Sequence, residues 1–405
     1  MKILHVITES NLGGAQRNTL LTLRGLVRSG CETHLACGPY GPGDPTALIR
    51  EARQAGVTVW PIRSLVRPIR PAKDLQAAFV LARIILREDY DVVHTHSFKA
   101  GLLGRLVAWL AGARTVVHTF HGVPFDTRSN NWKTRLCFFF ERLLCLFCHR
   151  LVSVGEVLRG ELIAHRVARP EKIVTVRSGV DFSRFESPTR GRDGRGVLGV
   201  PAGAPLIGCV GRLAEQKAPE VLLEAFAIVK KQAPEAHLLF IGEGPLHDEL
   251  EARAQALGLA DCVHVAGERH NVPDLLAAMD VFALPSRWEG VGRALTEAMY
   301  MKLPVVCTGV NGVPEIVQDG VTGLTVRGDD PADTAEKILA LINDPVRAAE
   351  LGRAAHEKVK GLMSAESMIA GLIELYRRLV PVGTQPAPED VLGDNSVRHL
   401  WQIEP

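Results

Sequence analysis

The chain has 405 residues, of which 46% are hydrophobic and 23% are charged, an ordinary composition for a globular protein. This length argues against a single hydrophobic core and predicts two domains. The formal net charge of +2 hides an asymmetry, since residues 1–184 carry 26 Lys and Arg against 14 Asp and Glu, whereas residues 185–405 carry 21 against 31. A basic first half suits a phosphorylated ligand, an anionic membrane or the acidic second half.

The sequence shows no feature of secretion or membrane insertion. Its first apolar run, residues 1–7, is too short for a signal peptide and ends in polar residues. No uncharged apolar stretch reaches the roughly 18 residues that a membrane helix needs. We therefore expect a cytoplasmic protein with reduced cysteines, and we keep open a peripheral contact with anionic lipid on the inner face of the cell membrane.

In the first half of the chain, short apolar runs alternate with helical patterns. The runs predict strands at 2–8, 33–37, 57–61, 91–95, 115–119, 151–154 and 173–176. The helical patterns fall at 15–28, 75–87, 100–110 and, as one continuous amphipathic helix, 133–150. Such alternation predicts a parallel sheet that is covered by helices on both faces.

The pattern restarts after residues 185–205, which contain Gly, Pro and Arg and are predicted to link two domains. Strands are predicted at 206–211, 237–241, 262–265, 281–284, 304–307 and 323–326. Helices are predicted at 218–232, 246–257, 272–279, 293–301, 312–318 and, without a break, 331–378. The fold class is therefore α/β, with two doubly wound domains at 1–184 and 206–360 and a ligand cleft at the carboxyl ends of the strands. We expect residues 381–405 to be a flexible tail.

The most informative segment lies between a predicted strand and a predicted helix. It contains Glu289 and Glu297, separated by seven residues, with Gly290 and Gly292 between them. The glycines allow a tight turn, so one carboxylate lies in the turn and the other one turn into the helix. Unpaired N–H groups at a helix start bind anions, and carboxylates accept hydrogen bonds from hydroxyls. This combination suits a sugar nucleotide, although acidic residues also occur at helix starts without a ligand.

Two cations follow the first strand of the second half. Arg212 and Lys217 come directly after a strand that ends at Gly211 and just before a helix. Arg offers a rigid fork of donors and Lys a compact charge, and together they can neutralise a pyrophosphate that leaves with growing negative charge. The alternative is a solvated basic loop, which the position at a strand end makes less favoured.

A second glycine turn joins the first strand to the first helix. Gly13 and Gly14 would let the backbone approach a phosphate at that helix start. By itself the turn is weak evidence, because it lacks the spacing of a dinucleotide-binding fingerprint.

Four histidines cluster at the ends of two neighbouring predicted strands. Alternation places His94 and His96 on one face, but no acidic residue accompanies the cluster and neither histidine pair has a recognised ligand spacing. We therefore expect no metal ion. His121 falls in a loop before Gly122 and is the better candidate for touching substrate, whereas His94 and His118 are interpreted as core residues.

Residues 145–149 match the Cys-x-x-Cys-His spacing of c-type haem attachment. They lie within the predicted helix 133–150, and the chain shows no export signal. We therefore interpret Cys145 and Cys148 as buried core residues and expect no cofactor.

With these residues assembled, the chain resembles the family-4 retaining glycosyltransferases of the GT-B fold. The resemblance spans about residues 1–380, with its most specific motifs at 289–299, 211–217, 13–14, 118–122 and 309–315. It implies two Rossmann-like domains facing a central cleft, an acceptor domain followed by a nucleotide-sugar domain, and a last helix over 361–380 that crosses back to the first domain. It also implies metal-independent transfer of a sugar from a UDP-, GDP- or ADP-sugar to a glycan or lipid-linked hydroxyl, with retention at the anomeric carbon.

The resemblance further implies a role for each matched position. Arg212 and Lys217 would hold the donor diphosphate. Glu289 would bind hydroxyls of the donor sugar, Glu297 would bind the ribose, and His121 would contact the transferring sugar at the reacting centre. The segment that ends at Val272 would pack on the nucleobase. The implied donor-binding residues are Gly13, Gly14, Val272, Gly290, Val291, Gly292, Arg293 and Glu297.

Three positions depart from the pattern of many relatives. An aromatic residue often stands at the position of Val291, proline at that of Arg293 and asparagine at that of Ser178. These departures could alter the sugar preference, but they leave the charged residues intact.

The acceptor is less defined by the residues. A basic group and the aromatic run 138–140 would suit a lipid-linked phosphate at a membrane surface, and their alternative is a solvated rim beside a core-packing helix. The basic group consists of Arg63, Arg67, Arg70 and Lys73. We expect no nucleic-acid partner.

Two other functions stay open. A sugar-nucleotide epimerase would share the two-domain architecture and need no acceptor site, and the pair of Glu289 and Glu297 argues against it. A binding or scaffold protein with a spent active site is opposed by the retained charged residues.

Overall fold

The structure is a computed structural model that describes residues 1–12, 14–39, 46–122, 132–186, 195–196 and 198–380, without the side chains of residues 132–135. Within this part of the chain, the residues form two compact units. The first comprises Met1–Gly179 and the C-terminal helix that begins at Ala365, and the second comprises Val180–Ser364. Each unit is built around its own parallel sheet.

The first unit contains a seven-stranded parallel sheet. Its strands are β1 (Lys2–Ile7), β2 (Glu32–Cys37), β3 (Thr58–Pro61), β4 (Val92–His96), β5 (Val116–Phe120), β6 (Arg150–Ser153) and β7 (Ile173–Thr175). The helices between them are α1 (Gly14–Arg28), α2 (Ala47–Gln54), α3 (Pro71–Glu88), α4 (Phe98–Leu110), α5 (Trp132–Leu144) and α6 (Glu156–Ala164). The strand order β3-β2-β1-β4-β5-β6-β7 winds outward from β1 in both directions, which defines a doubly wound sheet.

The second unit repeats this winding with six parallel strands. They are β8 (Leu206–Val210), β9 (His237–Ile241), β10 (Val263–Val265), β11 (Val281–Leu284), β12 (Val305–Thr308) and β13 (Leu324–Val326). The helices are α7 (Pro219–Gln232), α8 (His247–Ala256), α9 (Val272–Ala278), α10 (Arg293–Tyr300), α11 (Pro331–Asn343) and α12 (Pro345–Leu362). The order β10-β9-β8-β11-β12-β13 places β8 and β11 side by side at the switch point of the winding. The predicted α/β class is confirmed, and every predicted strand overlaps an observed one.

The C-terminal helix α13 (Ala365–Leu379) packs on α1 in the first unit. Gly25 on α1 permits the close approach, because a Cβ there would lie 1.9 Å from the side chain of Ile369. The fully buried Tyr376 places its hydroxyl 2.5 Å from Nδ1 of His94 in β4. The C-terminal helix therefore forms part of the core of the first unit.

The helix predicted over 133–150 is shorter than expected. α5 ends at Leu144, a 3₁₀ turn covers Cys145–Phe147, and Arg150 already begins β6. Cys148 has extended backbone angles, since the chain must enter the sheet beside β5. The apolar residues of 133–150 recur with a helical period, so the sequence pattern did not show that the helix ends before β6.

Other boundaries also differ from the prediction. The helix expected at 312–318 is a 3₁₀ turn over Val313–Glu315. The helix expected over 331–378 is three helices. The first break is at Asp344, which caps the helix that starts at Pro345. The second break is at Ser364, which forms a β-bridge with Val180 between α12 and α13. Helices α2 and α6 were not predicted. In the described residues, no helix combines the length and apolar character needed to cross a bilayer.

Candidate active site

The carboxyl ends of β8, β11 and β12 lie next to one another at one edge of the second sheet. Hydrogen bonds join the three segments that follow these strands. Arg287 N–H donates to the carbonyl of Gln216 at 2.9 Å, and Glu289 N–H donates to the Asn311 side chain at 3.3 Å. Residues from three distant parts of the sequence therefore form one polar surface.

Lys217 and Glu289 form an ion pair at the centre of this surface. The Lys217 ammonium contacts Oε1 of Glu289, and the hydroxyl of Ser286 donates to the same oxygen at 2.8 Å. Only 16% of the Lys217 side chain and 6% of the Glu289 side chain are exposed. Two residues predicted from separate motifs thus share one largely buried contact.

The turn that carries Lys217 is held by charged groups around it. A 3₁₀ turn spans Glu215–Lys217, and α7 starts two residues later with proline. Arg287 fixes this turn by donating to the Glu215 carbonyl at 2.9 Å and to the Glu220 carboxylate at 2.7 Å. The buried residue between turn and helix, Ala218, has a left-handed backbone with φ of 47°, a costly conformation that often marks functional loops.

The loop before α10 has a shape that requires glycine. Gly292 has a φ of 83°, which an L residue rarely adopts. Gly312 approaches the loop so closely that a Cβ would lie 2.2 Å from the carbonyl oxygen of Gly290. Asn311 is left-handed too, with φ of 47°, and its side chain holds the Glu289 backbone. The segment 309–315 therefore supports the glycine turn directly.

Helix α10 begins at Arg293 and carries Glu297 one turn later. The Arg293 guanidinium donates to Glu297 at 2.9 Å, with half of the arginine side chain exposed and 14% of the glutamate exposed. The first N–H groups of a helix have no partner within it, so the start of α10 can bind an anion. Val291 packs partly buried against the core.

Arg212 and Val272 belong to the second unit, Arg212 after β8 and Val272 at the start of α9. Arg212 is exposed, and among the ion pairs of the described chain none involves it. Val272 is the first residue of α9 and packs partly against the core. Arg212 is thus a cation that no described residue neutralises through an ion pair.

In the first unit, His121 follows β5 and is joined to the sheet through His96. Nε2 of His121 lies 3.0 Å from Nδ1 of His96, and Nε2 of His96 lies 2.8 Å from Nδ1 of His5. Burial lowers the pKa of His121 to about 4 and that of His5 to about 3, and it lowers the pKa of His96 well below its usual value. The three imidazoles are therefore neutral at pH 7.

The other predicted positions of the first unit are two histidines and two glycines. Nε2 of His94 lies 2.6 Å from the Thr119 hydroxyl, and His118 lies 2.8 Å from the Thr95 hydroxyl. Both are buried polar core residues. Gly14 is the exposed first residue of α1. Gly13 lies outside the described residues.

Three buried histidines, His5, His94 and His96, place possible ligand nitrogens within 4.8 Å of one another. The nitrogens of His94 face the hydroxyls of Tyr376 and Thr119. The 2.8 Å between His5 and His96 is a hydrogen-bond length, shorter than the roughly 3.3 Å that separates two nitrogens on a tetrahedral zinc. The geometry is that of a hydrogen-bonded network.

The two cysteines of the haem-like motif are part of the core. Cys145 and Cys148 are buried, and His149 Nδ1 accepts from the Val116 N–H at 2.9 Å. All eight cysteines of the chain are free thiols.

Several residues of these sites were missed in the sequence. Ser286, Gln216 and Asn311 bind the loops of the second unit, and His5 and Tyr376 bind the histidines of the first. Ser286 and Asn311 lie inside or beside recognised motifs, so they could have been suspected. No sequence signal connects His5 or Tyr376 to β4.

Comparison with known proteins gives two family matches. The model described as Glycosyl transferases group 1 matches residues 192–358, and the model described as Glycosyltransferase Family 4 matches residues 12–184. The chain is 29% identical over 351 residues to the UDP-Gal:alpha-D-GlcNAc-diphosphoundecaprenol alpha-1,3-galactosyltransferase of Escherichia coli, covering 85% of this chain and 89% of the relative. It is 30% identical to the D-inositol 3-phosphate glycosyltransferase of Thermobifida fusca, covering 85% of this chain and 78% of the relative.

Solved structures share the fold. A glycosyltransferase from Rickettsia africae superposes with a TM-score of 0.82 at 21% identity, covering 94% of this chain and 99% of that one. Anabaena HepE in complex with UDP gives a TM-score of 0.79 at 22% identity, covering 93% and 100%. The predicted GT-B fold is confirmed.

Because one ion pair is buried and the other is half exposed, we predict that Lys217→Met lowers the free energy of unfolding much more than Arg293→Met does. Lys217→Met should lower the free energy of unfolding of the second unit by about 3–5 kcal/mol, because Glu289 keeps a buried charge without its partner. Arg293→Met should cost at most about 1 kcal/mol, since its pair with Glu297 is half exposed. Urea unfolding followed by tryptophan fluorescence measures both. Equal losses for the two variants, or no recovery when Glu289→Gln is added to Lys217→Met, would contradict the assignment.

Proposed function

Because the chain belongs to the group 1 glycosyltransferases of the GT-B type, we propose that it moves a sugar from a nucleotide-diphosphate donor to a hydroxyl acceptor. We propose further that the anomeric configuration is retained and that the reaction needs no metal ion. The contact of Lys217 with Glu289 carries this proposal. It sets a cation beside a hydroxyl-binding carboxylate at the strand ends where doubly wound sheets bind their ligands.

The donor diphosphate is proposed to bind Arg212 and Lys217. Arg212 is exposed and lacks an ion-pair partner among the described residues, so its charge is available to a ligand. A diphosphate that approaches Lys217 competes with Glu289 for the ammonium, which frees carboxylate oxygen for hydroxyls of the donor sugar. The backbone N–H groups of the loop before α10 and of its first residue add positive ends to the same surface. These groups belong to Gly290, Val291, Gly292 and Arg293.

The rest of the donor is assigned to neighbouring side chains. Glu297 is proposed to bind the ribose, and the segment that ends at Val272 to pack on the base. The Arg293 guanidinium holds Glu297 in place on the helix face. Gly13 and Gly14 of the first unit remain candidates for a backbone contact with the donor.

The chemical step exchanges one bond at the anomeric carbon. The bond from this carbon to the diphosphate oxygen breaks, the bond to the acceptor oxygen forms on the same face, and the acceptor proton passes to the leaving diphosphate. Arg212, Lys217 and the helix start stabilise the negative charge that develops on the leaving group, a role that a divalent ion can fill elsewhere. Glu289 is assigned to binding rather than to a covalent intermediate, and His121 is assigned to the transferring sugar.

A UDP-sugar and a lipid-linked acceptor are the first substrates to test. The Escherichia coli relative is named for UDP-Gal and for an acceptor on diphosphoundecaprenol. An exposed apolar surface on α4 and α5 of the first unit favours a lipid-linked acceptor over a small soluble one. This α4–α5 apolar surface consists of Leu106, Trp109, Leu110, Leu136, Phe139, Phe140 and Leu143, together with Leu146 in the 3₁₀ turn that follows α5.

The packing of α5 explains why this surface is exposed. Arg105 of α4 and Glu141 of α5 form a buried pair at 2.7 Å, and Phe138 is buried on the same side. The aromatic run is therefore divided, with Phe138 in the core and Phe139 and Phe140 facing solvent at 51% and 44% exposure. Apolar residues on the solvent side of an amphipathic helix are typical of a membrane or partner contact.

Incubation with radiolabelled UDP-, GDP- and ADP-sugars should yield transfer to a lipid or glycan fraction. Lys217→Ala should weaken donor binding and lower kcat/KM by about 10²–10³-fold, the effect of removing one preorganised charge-stabilising group. Arg253→Ala is the control, because its pair with Glu224 is exposed on α7 and α8. Formation of an epimer instead of a transfer product would favour the isomerase, and loss of transfer with unchanged donor binding would contradict the diphosphate role.

The stereochemistry and the metal requirement can be read in one assay. The product should keep the anomeric configuration of the donor, as measured by the proton coupling constant at the anomeric carbon. The rate should be unchanged after treatment with EDTA, because side-chain cations and a helix start supply the positive charge. An inverted product, or activity restored only by a divalent ion, would overturn these two assignments.

The membrane contact predicts binding to anionic vesicles at low salt. The double variant Phe139→Ser with Phe140→Ser should sediment less with such vesicles than the parent protein, because it removes exposed apolar area. The control is Phe79→Ser with Leu86→Ser, which removes exposed apolar side chains from α3. Absence of sedimentation of the parent protein at low salt would remove the proposal.

A further inference from the structure

His121 is the end of a chain of three imidazoles that runs into the first sheet. His5 of β1 contacts His96 of β4 through Nδ1 and Nε2 at 2.8 Å, and His96 contacts His121 through Nδ1 and Nε2 at 3.0 Å. We name His5, His96 and His121 the imidazole chain. His5 and His96 are buried, with 0% and 2% of their surfaces exposed, so water does not compete for the contact between them.

Two arrangements of protons can satisfy both contacts. A neutral imidazole has one N–H donor and one bare acceptor nitrogen, so each contact needs a donor on one ring and an acceptor on the other. In the first arrangement, Nδ1–H of His5 donates to His96 and Nδ1–H of His96 donates to His121. In the second, every donor points the opposite way, and His5 must then carry its proton on Nε2.

The buried end of the chain distinguishes the two arrangements. Nε2 of His5 is buried and has no hydrogen-bond partner among the described residues. The second arrangement would leave a buried N–H without an acceptor, which native proteins rarely tolerate, whereas the first leaves only an unused lone pair. Burial also keeps the rings neutral by lowering their pKa values. The first arrangement is therefore the more stable one.

We infer that His5 and His96 are positioning residues that hold His121 in the tautomer protonated on Nδ1. Nε2 of His121 accepts from His96, and Nδ1 remains as a donor that no described hydrogen bond uses. This inference rests on the proposed function, in which His121 contacts the transferring sugar. His121 then acts on the sugar by donating a hydrogen bond to one of its oxygens, and it removes no proton from the acceptor.

The tautomer can be measured in the full-length protein without a substrate. In ¹⁵N-histidine-labelled protein, long-range ¹H–¹⁵N correlation spectra should show His121 protonated on Nδ1 and bare on Nε2, with assignment by its loss in His121→Gln. His5→Asp presents a carboxylate acceptor to Nε2 of His96, so in alkaline buffer, where the imidazoles stay neutral, the His121 pattern should shift toward protonation on Nε2. His5→Leu offers no acceptor, and a proton on Nε2 of His96 would again be a buried N–H without a partner, so this variant should keep the parent pattern.

Kinetics supply a second readout, which the proposed function makes possible. His5→Asp should lower kcat about tenfold with little change in KM for the donor, the effect of one hydrogen bond lost in the transition state, and His5→Leu should keep most of the parent kcat. The matched control is His34→Asp, because His34 is a buried sheet histidine that bonds Tyr90 and is outside the imidazole chain. His34→Asp should change neither the His121 tautomer nor kcat.

Three results would overturn the inference. They are protonation of His121 on Nε2 in the parent protein, an unchanged His121 pattern in folded His5→Asp, and stoichiometric zinc bound by the parent protein at the histidines. If His5→Asp fails to fold, the parent spectrum and the retained pattern in His5→Leu still decide. A chain that transfers no sugar but shows the expected tautomers would contradict the proposed function alone.

Discussion

Parallel pairing of strands decides which distant residues can meet in this protein. All strands of a parallel sheet end at the same edge, so the loops that follow neighbouring strands become neighbours themselves. Lys217 and Glu289 are 72 positions apart, yet they touch because β8 pairs with β11. His5 and His96 are 91 positions apart and meet because β1 pairs with β4. The candidate site of each unit is thus a consequence of its winding order.

Stability alone does not explain the pair of Lys217 and Glu289. Removing two charges from water costs about as much as their attraction returns, so a buried pair stabilises a fold little compared with apolar residues of similar size. The Ser286 hydroxyl and the bonds of Arg287 nevertheless fix both partners. Under the proposed function the pair is exchangeable, because an anionic ligand can replace the carboxylate at the Lys217 ammonium while Ser286 and hydroxyls of the ligand hydrogen-bond the freed carboxylate.

The sequence predicts the sheet strands well because each is a short apolar run between turn residues. It also predicts Lys217 and Glu289 as site residues, since both follow strand ends in recognisable motifs. It could not predict that the two side chains would bond to each other, which depends on the β8–β11 pairing and on the left-handed Ala218. The break at Leu144 was missed for a different reason, because residues such as Cys145 and Phe147 suit a helix and a buried turn equally.

The histidines show most clearly where local pattern stops being informative. In β1 and β4 the sequence places His5 and His94 where a parallel sheet usually has aliphatic residues, and both are fully buried. Burying an imidazole without partners is costly, so the strands are stable only if other elements supply hydrogen bonds. For His94 one partner is Thr119 on the neighbouring strand and the other is Tyr376, 282 positions later on α13. The C-terminal helix therefore belongs to the polar core of the first unit, because its Tyr376 hydroxyl supplies the hydrogen-bond partner that the buried His94 of β4 needs.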